Sequence, residues 1–319
     1  MQHATLLSRY NASAKPMKTI GIIGSHLIHT FAYAMHFNHP DLEKAASATS
    51  IPMWQLELLK SAGEFNPLGG ARLTHIFGEP EGVAKDMAAI FDLQRADSAQ
   101  QVLDACDSVM VMDENPDSRA KMIHLAIDSG VDVFADKLVS IEPRATAQTL
   151  ELARKRSVRL AAWSQMGFAE ELTRLHGLPT GGTAYITFGV DPDEFEAYGI
   201  HVISAVQGAF PGRIMELQRL KAGPQRLALL EHEVGTSILL GIGGRFPAGF
   251  VRIDYSVEGK TTSIETANKA LAFRNAAREI LALLDGKPPR FGPADMIEAS
   301  RLVALLCKPR VDQVPLRLL

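Results

Sequence analysis

The chain has 319 residues, 46% hydrophobic and 22% charged, an ordinary globular balance with length enough for two domains. Its formal net charge of -3 offers no overall attraction for nucleic acid or an anionic membrane surface, and no apolar run reaches the ~18 residues of a membrane span. Cys106 and Cys307, the two cysteines, sit in apolar stretches without metal-ligand spacing, which suits buried thiols in a reducing, cytoplasmic compartment.

Residues 1–16 are polar and lack the apolar core, about 7–15 residues long, of a secretory signal, so they read as a flexible tail. Thr19–Ile23 is short, apolar and β-branched. Gly24-Ser25 follows, then a helical pattern to about Phe37, so that strand, glycine turn and helix open a βαβ unit. The stretch Asn38–Gly70, with Pro40, Pro52, Pro67 and an amphipathic piece at Trp54–Leu59, reads as an insertion before the second strand. That strand is Arg72–Phe77, stopped by Gly78-Glu79-Pro80. Val83–Phe91 is helical, Gln101–Leu103 is a short apolar piece, and Ser108–Met112 is a strand. Asp117–Ser129 is a helix closed by Gly130, and Val131–Ala135 is the next strand. Helix Pro143–Arg156 and strand Val158–Trp163 complete an alternation that predicts a doubly wound parallel sheet over residues 17–164.

Residues 165–319 read differently. Thr183–Phe188, Arg213–Leu220, Leu227–Glu233, Ser237–Gly241 and Phe250–Ser256 are successive strands, with helix only around Tyr198–Val206. Helices at Ala267–Leu284 and Ala294–Leu306 follow. The pattern predicts an α+β domain with an open, mostly antiparallel sheet.

A helix that starts directly after a parallel strand presents unpaired N–H groups suited to a pyrophosphate. The dinucleotide fingerprint places glycine at three positions there, and Gly24-Ser25-His26-Leu27-Ile28-His29 keeps only the first. Gly24, Ser25 and His26 are the candidate phosphate contacts. Glu79, at the end of the second strand, is the candidate for ribose hydroxyls, and the absence of a nearby arginine favours NAD, with NADP as the alternative. Asp113 and Asp136, at two further strand ends, complete the cofactor set. His26, His29, His36 and His39 form two H-x-x-H pairs. His29 and His36 stand about 10 Å apart along a helix and the nearer pairs lack a third ligand, so no metal site is expected.

Lys137 follows the Val131–Ala135 strand, at the sheet edge where doubly wound folds bind ligands. Its ammonium there could orient a substrate hydroxyl and stabilise an alkoxide. His201 could exchange the hydroxyl proton, and Tyr198 lies one turn before it on the same helix face. These three are the candidate catalytic residues.

In this order the motifs resemble the Gfo/Idh/MocA oxidoreductases, which include glucose–fructose oxidoreductase and inositol dehydrogenase. The resemblance runs from about Lys18 to the C-terminus. Residues 106–112 are similar to that family's strand before its substrate loop, and Ala126, Gly130 and Val133 to its A-x-x-x-G-x-x-V. Asp136-Lys137-Leu138 falls on its Glu-Lys-Pro, and Gly199-Ile200-His201 on the end of its Asp-x-Gly-x-His. Residues 272–286 and 296–306 resemble its closing helix pair. The resemblance implies a Rossmann domain with bound NAD or NADP and hydride transfer at the hydroxyl carbon of a sugar, polyol or cyclitol. Lys137 would be the catalytic lysine and His201 the acid/base. It also implies homo-oligomers, dimeric or tetrameric, joined through the open sheet. The chain departs from the family at Leu138 for proline, Ala197 for the aspartate before the histidine, Ser118 or Arg119 for a histidine, and Gln165-Met166 for an arginine. These departures frame the alternative, a non-catalytic relative that binds a metabolite as a sensor or regulator.

Overall fold

The structure is a computed structural model that describes residues 17–25, 27–50, 66–222, 225–243, 251–308 and 315–318. The amphipathic piece at Trp54–Leu59 and His26 lie outside the described residues. Through the first half, strands alternate with helices: β1 (Lys18–Ile23), α1 (Leu27–Ala34), α2 (Leu42–Ser47), β2 (Ala71–Phe77), α3 (Glu81–Phe91), β3 (Gln94–Arg95), α4 (Ala99–Ala105), β4 (Ser108–Val111), α5 (Pro116–Asp128), β5 (Asp132–Asp136), α6 (Pro143–Lys155) and β6 (Leu160–Trp163). The six strands pair in parallel in the order β3-β2-β1-β4-β5-β6. This is the doubly wound Rossmann arrangement, whose order reverses between β1 and β4 and leaves a crevice at the carboxyl ends there. Strands β4 and β6 are buried at every position, which is why, Ser108 apart, they read as apolar runs.

Helix α1 stops at Ala34, and Met35–Phe37 continue as turns. Asn38 accounts for that ending. Its amide donates to the Leu73 and Phe91 carbonyls at 3.0 and 2.9 Å, and its side-chain oxygen accepts the Leu73 N–H at 2.9 Å. The expected short piece at Gln101–Leu103 is part of helix α4, which Ser98 caps through the Gln101 N–H.

The second half contributes β7 (Thr183–Phe188), α7 (Phe195–Ala209), β8 (Ile214–Ala222), β9 (Gln225–His232), β10 (Ser237–Ile242), β11 (Val251–Val257), β12 (Lys260–Glu265), α8 (Lys269–Leu284), α9 (Pro293–Cys307) and β13 (Leu316–Arg317). Its seven strands run β12-β11-β7-β10-β9-β8-β13, antiparallel except for the β7–β10 pair. Strands β12 and β13 were not expected from the sequence. The first is threonine-rich with Ile264 its one buried residue, and the second has only two residues.

Helix α8 returns to the first sheet. Phe273, Ala276, Ala277, Ile280, Leu283 and Leu284 join the core formed by Ile20, Ile22, Phe31 and Tyr33. Helices α7 and α9 line the core of the second sheet, and α9 is tied to α6 by a 2.9 Å contact between the Thr146 and Ser300 hydroxyls.

The carboxyl ends of β1 and β4 approach closely at Gly24. Its φ is +86°, and a Cβ there would fall 2.7 Å from the Asp113 nitrogen. Gly130, with φ +74°, has nothing within 4 Å of such an atom. Gly24→Ala should therefore cost about 2–4 kcal/mol, conformational penalty plus clash, whereas Gly130→Ala should cost only the about 1–2 kcal/mol of the left-handed backbone. Urea midpoints with unchanged m-values check the difference, and equal losses would contradict it.

Candidate functional site

At the turn after β1, the Gly24 N–H donates to the Phe77 carbonyl at 2.8 Å and the Met112 N–H to the Ile23 carbonyl at 2.7 Å, which locks three strand ends together. Ser25 is buried, its hydroxyl 3.5 Å from the Pro80 carbonyl. Glu79 is exposed at the end of β2, and its carboxylate accepts the Glu81 N–H at 3.0 Å, at the start of α3. Asp113 ends β4 half-buried and accepts the Asn115 N–H at 2.9 Å. Gly24, Ser25, Glu79 and Asp113 thus line the carboxyl ends of β1, β2 and β4. Asp136 is placed elsewhere: it is buried, and its two carboxylate oxygens lie 3.0 and 2.8 Å from Nδ1 of His29 on α1.

A cavity of about 350 Å³ opens between α1, the residues after β6, the end of β7 and helices α7 and α8, within the range of small-molecule sites; Gly24, Ser25, Glu79 and Asp113 are not among its lining residues. Its walls include His29, Gln165, Met166, Phe188, Tyr198, His201, Lys269 and Phe273. His201 is buried on α7, with Nδ1 2.6 Å from the Ser164 hydroxyl directly after β6. Ser164 itself is pinned by the Met166 N–H at 3.2 Å. Tyr198 lies one helical turn before His201, ring centroids 6.1 Å apart.

Lys137 is buried just past β5 in a left-handed conformation, φ +73°, and its N–H donates to the Trp163 carbonyl at 3.1 Å. A non-glycine residue held there stores backbone strain of about 1 kcal/mol or more, which the surrounding contacts must offset. Arg119 supplies some of them: Nε donates to the Leu138 carbonyl and Nη1 to the Asp113 carbonyl, each at 2.9 Å. The Lys137 ammonium stands 5.2 Å from the centre of the Tyr198 ring, which lines the cavity; Lys137 itself lies behind that ring and not in the cavity wall. Burial lowers its pKa, opposed by the charges of Asp136 and Glu114.

The structure therefore brings Lys137, Tyr198 and His201 together, adds His29 and Ser164, whose roles the sequence did not indicate, and sets Asp136, expected at the cofactor, against His29. His29 and Asp136 are 107 positions apart, and no local pattern links them. The remaining histidines of the H-x-x-H pairs disperse. His36 is fully buried in the first core, and His39 is exposed. Among the described residues, no group of three or more His, Cys, Asp or Glu side chains is arranged to hold a metal ion.

No protein-family model matches the chain, and no curated protein matches its sequence. Solved structures do match. GenD2 from gentamicin A biosynthesis, in complex with NAD, has a TM-score of 0.66 at 14% identity, over 90% of this chain and 92% of that one. UDP-N-acetylglucosamine 3-dehydrogenase GnnA from Acidithiobacillus ferrooxidans gives 0.63 at 15% identity, over 91% and 96%. An oxidoreductase from Agrobacterium radiobacter, in complex with NAD+, L-tartaric acid and magnesium, gives 0.62 at 11%, over 90% and 94%. The fold is shared with these structures over nearly the whole chain. Among the described residues, no helix is long and apolar enough to cross a membrane.

Burial, with the Arg274 charge adding to it, lowers the pKa of His36 from 6.5 to about 4. Between these values the unfolded chain binds a proton that the folded chain does not, so stability is full above the unfolded value and is lost as pH falls toward 4. At ~1.4 kcal/mol per unit, the loss from pH 7 to 4.5 should be about 2–3 kcal/mol. Urea unfolding of the wild type and His36→Leu at both pH values tests this, and an identical pH dependence in the two proteins would refute it.

Proposed function

We propose that the chain is an NAD-dependent oxidoreductase of the Gfo/Idh/MocA type, moving a hydride to or from the hydroxyl carbon of a small polyol, sugar or cyclitol. The observation that carries this reading is the convergence of Lys137, Tyr198 and His201 at the carboxyl edge of a Rossmann sheet, beside its switch point. The domains expected from the sequence fit it: residues 17–164 as the nucleotide-binding unit and 165–319 as the substrate unit.

The turn fits a dinucleotide on one structural count. Gly24 takes a left-handed conformation where a Cβ would meet the β4 backbone at Met112 and Asp113, the tight turn that the first glycine of a dinucleotide site makes. The side chain at the third glycine place, His29, is turned to Asp136. Gly24, Ser25 and the first turn of α1 would hold the phosphates, with Glu79 at the ribose. NAD, when bound, supplies the hydride acceptor.

The chain's own residues supply the proton chemistry. Ser164 fixes the His201 ring through Nδ1, and Nε2 would be the nitrogen that exchanges the hydroxyl proton. Lys137 orients the hydroxyl and stabilises negative charge on its oxygen, and desolvation strengthens that interaction. The GenD2 and Agrobacterium radiobacter structures contain NAD or NAD+, which supports the cofactor. We also propose a homo-oligomer through the second sheet. Tyr185, Leu239 and Leu229 align across β7, β10 and β9 on its open face, and Tyr185 is 38% exposed.

Fluorescence titration with NADH, followed by turnover assays on a panel of cyclitols, sugars and UDP-sugars, tests the assignment. Lys137→Ala should lower kcat by at least about 100-fold while the NADH Kd stays within about threefold. NADH binding with no turnover across the panel would favour the sensor alternative, and absence of NADH binding would overturn both the cofactor and the activity.

A further inference from the structure

His29 and Asp136 form a buried pair that packing does not account for. Nδ1 lies 2.8 Å from the nearer carboxylate oxygen, with the two side chains 6% and 3% exposed. Withdrawing a carboxylate from water costs several kcal/mol, and apolar side chains of the same volume at both places would often be as stable. The His29 ring also does more than fill space in the core. It lines the same cavity as His201, the two ring centroids lie 5.4 Å apart, and Phe273 of α8 packs edge-on against it at 5.2 Å.

The two imidazoles are held alike. Each has Nδ1 engaged, His29 by a carboxylate and His201 by the Ser164 hydroxyl, so in each ring Nε2 is the nitrogen on the side away from that partner. A carboxylate behind an imidazole fixes its tautomer and stabilises the imidazolium that forms when a proton arrives. A hydroxyl does the first and only weakly the second.

We infer that His29, backed by Asp136, is a second proton acceptor of this crevice, facing the same substrate hydroxyl as His201. The inference rests on the oxidoreductase reading. In the oxidation direction the substrate O–H bond breaks and its proton passes to an imidazole Nε2. The O–H electron pair would become the second carbon–oxygen bond, with NAD, when bound, supplying the acceptor for the hydride that leaves carbon. Asp136 keeps its carboxylate against the Nδ1–H and faces the new positive charge. The other ionisable groups around the pair include Lys137 after β5, Tyr198 and His201 on α7, Lys269 on α8, and Asp191 and Glu194 in the cavity wall, while Tyr33 on α1 and Arg119 on α5 act on Asp136 and Glu114 acts on Lys137.

Nitrogen NMR of the full-length protein, labelled selectively at histidine, reads the pair directly, with assignments from His29→Gln and His201→Gln. His29 should show the Nδ1–H tautomer, and Asp136→Asn should lower its titration midpoint by about one unit or more while His201 stays in place. Adding NADH should shift the His29 and His201 resonances together. In the substrate panel, His29→Gln should lower kcat by about 100-fold with the NADH Kd within about threefold. His201→Gln should keep a fall in rate on the acid side that disappears in the double variant. A His29 resonance indifferent to Asp136→Asn, or a single His29→Gln variant with wild-type kcat and pH profile, would overturn the inference. If NADH moves neither resonance while Asp136→Asn still shifts His29, the cofactor assignment fails and the pair itself stands.

Discussion

The site depends on how strand β5 ends. Asp136 is the last residue of β5 and Lys137 is the left-handed residue that follows it, and the two side chains leave the sheet edge in different directions. Asp136 turns to His29 on α1, and Lys137 turns to Tyr198 on α7. A left-handed residue at Lys137 bends the chain at that point, and the bend is held from both sides: the Lys137 N–H by Trp163 on β6, the Leu138 carbonyl by Arg119 on α5. Two adjacent side chains thereby connect the first sheet to elements on either side of the crevice. Relaxing the bend would release both, so the strain and the site are one feature.

Much of the architecture was legible because burial leaves a plain pattern. The parallel strands are covered on both faces, so β4 and β6 are short runs buried at every position and, Ser108 apart, apolar. Helix α5 carries its boundaries in its own sequence, Asn115 and Pro116 at the start and Gly130 just beyond the end. Strand β12 was not legible. It lies at the sheet edge with one buried side chain, and its pairing with β11 follows from the tight turn at Glu258-Gly259, both left-handed. The end of α1 was misplaced because Met35–Phe37 remain apolar and buried after the helical ladder stops. Asn38 ends the helix through contacts to residues 35 and 53 positions away.

The candidate site divides in the same way. Lys137 stands at a strand end and Tyr198 and His201 one turn apart, relations a linear sequence displays. The His29–Asp136 pair depends on α1 crossing the end of β5, a relation of tertiary structure alone. Two departures from the family pattern also gain a physical reading. Ala197 stands where the family has an aspartate, but that position is exposed on α7, and Ser164 holds the His201 ring instead. Leu138, in place of proline, is buried in the second core, while its carbonyl accepts from Arg119. The departure therefore leaves the bend after Lys137 in place, since a proline would offer the same carbonyl to Arg119.

Helix α8 decides whether this geometry is fixed or adjustable. It follows the second sheet in the chain, yet its apolar face lies in the core of the first, and Phe273 meets both His29 and Tyr33 edge-on at 5.2 and 4.9 Å. Below it, the far end of the helix is fastened by Lys18 and Arg159, each donating to the Leu284 carbonyl. Swinging the second sheet away from the first would drag α8 out and expose Phe273, Ala276, Ile280 and Leu283. At about 25 cal/mol per Å2 of apolar surface, each large side chain among these costs about 2–3 kcal/mol to uncover. A hinge at the crevice is thus opposed by several such terms at once. The spacing between His29 on one wall and His201 on the other is accordingly a property of the folded core, set before any ligand arrives. That preorganisation is what allows two imidazoles from different elements to serve one hydroxyl.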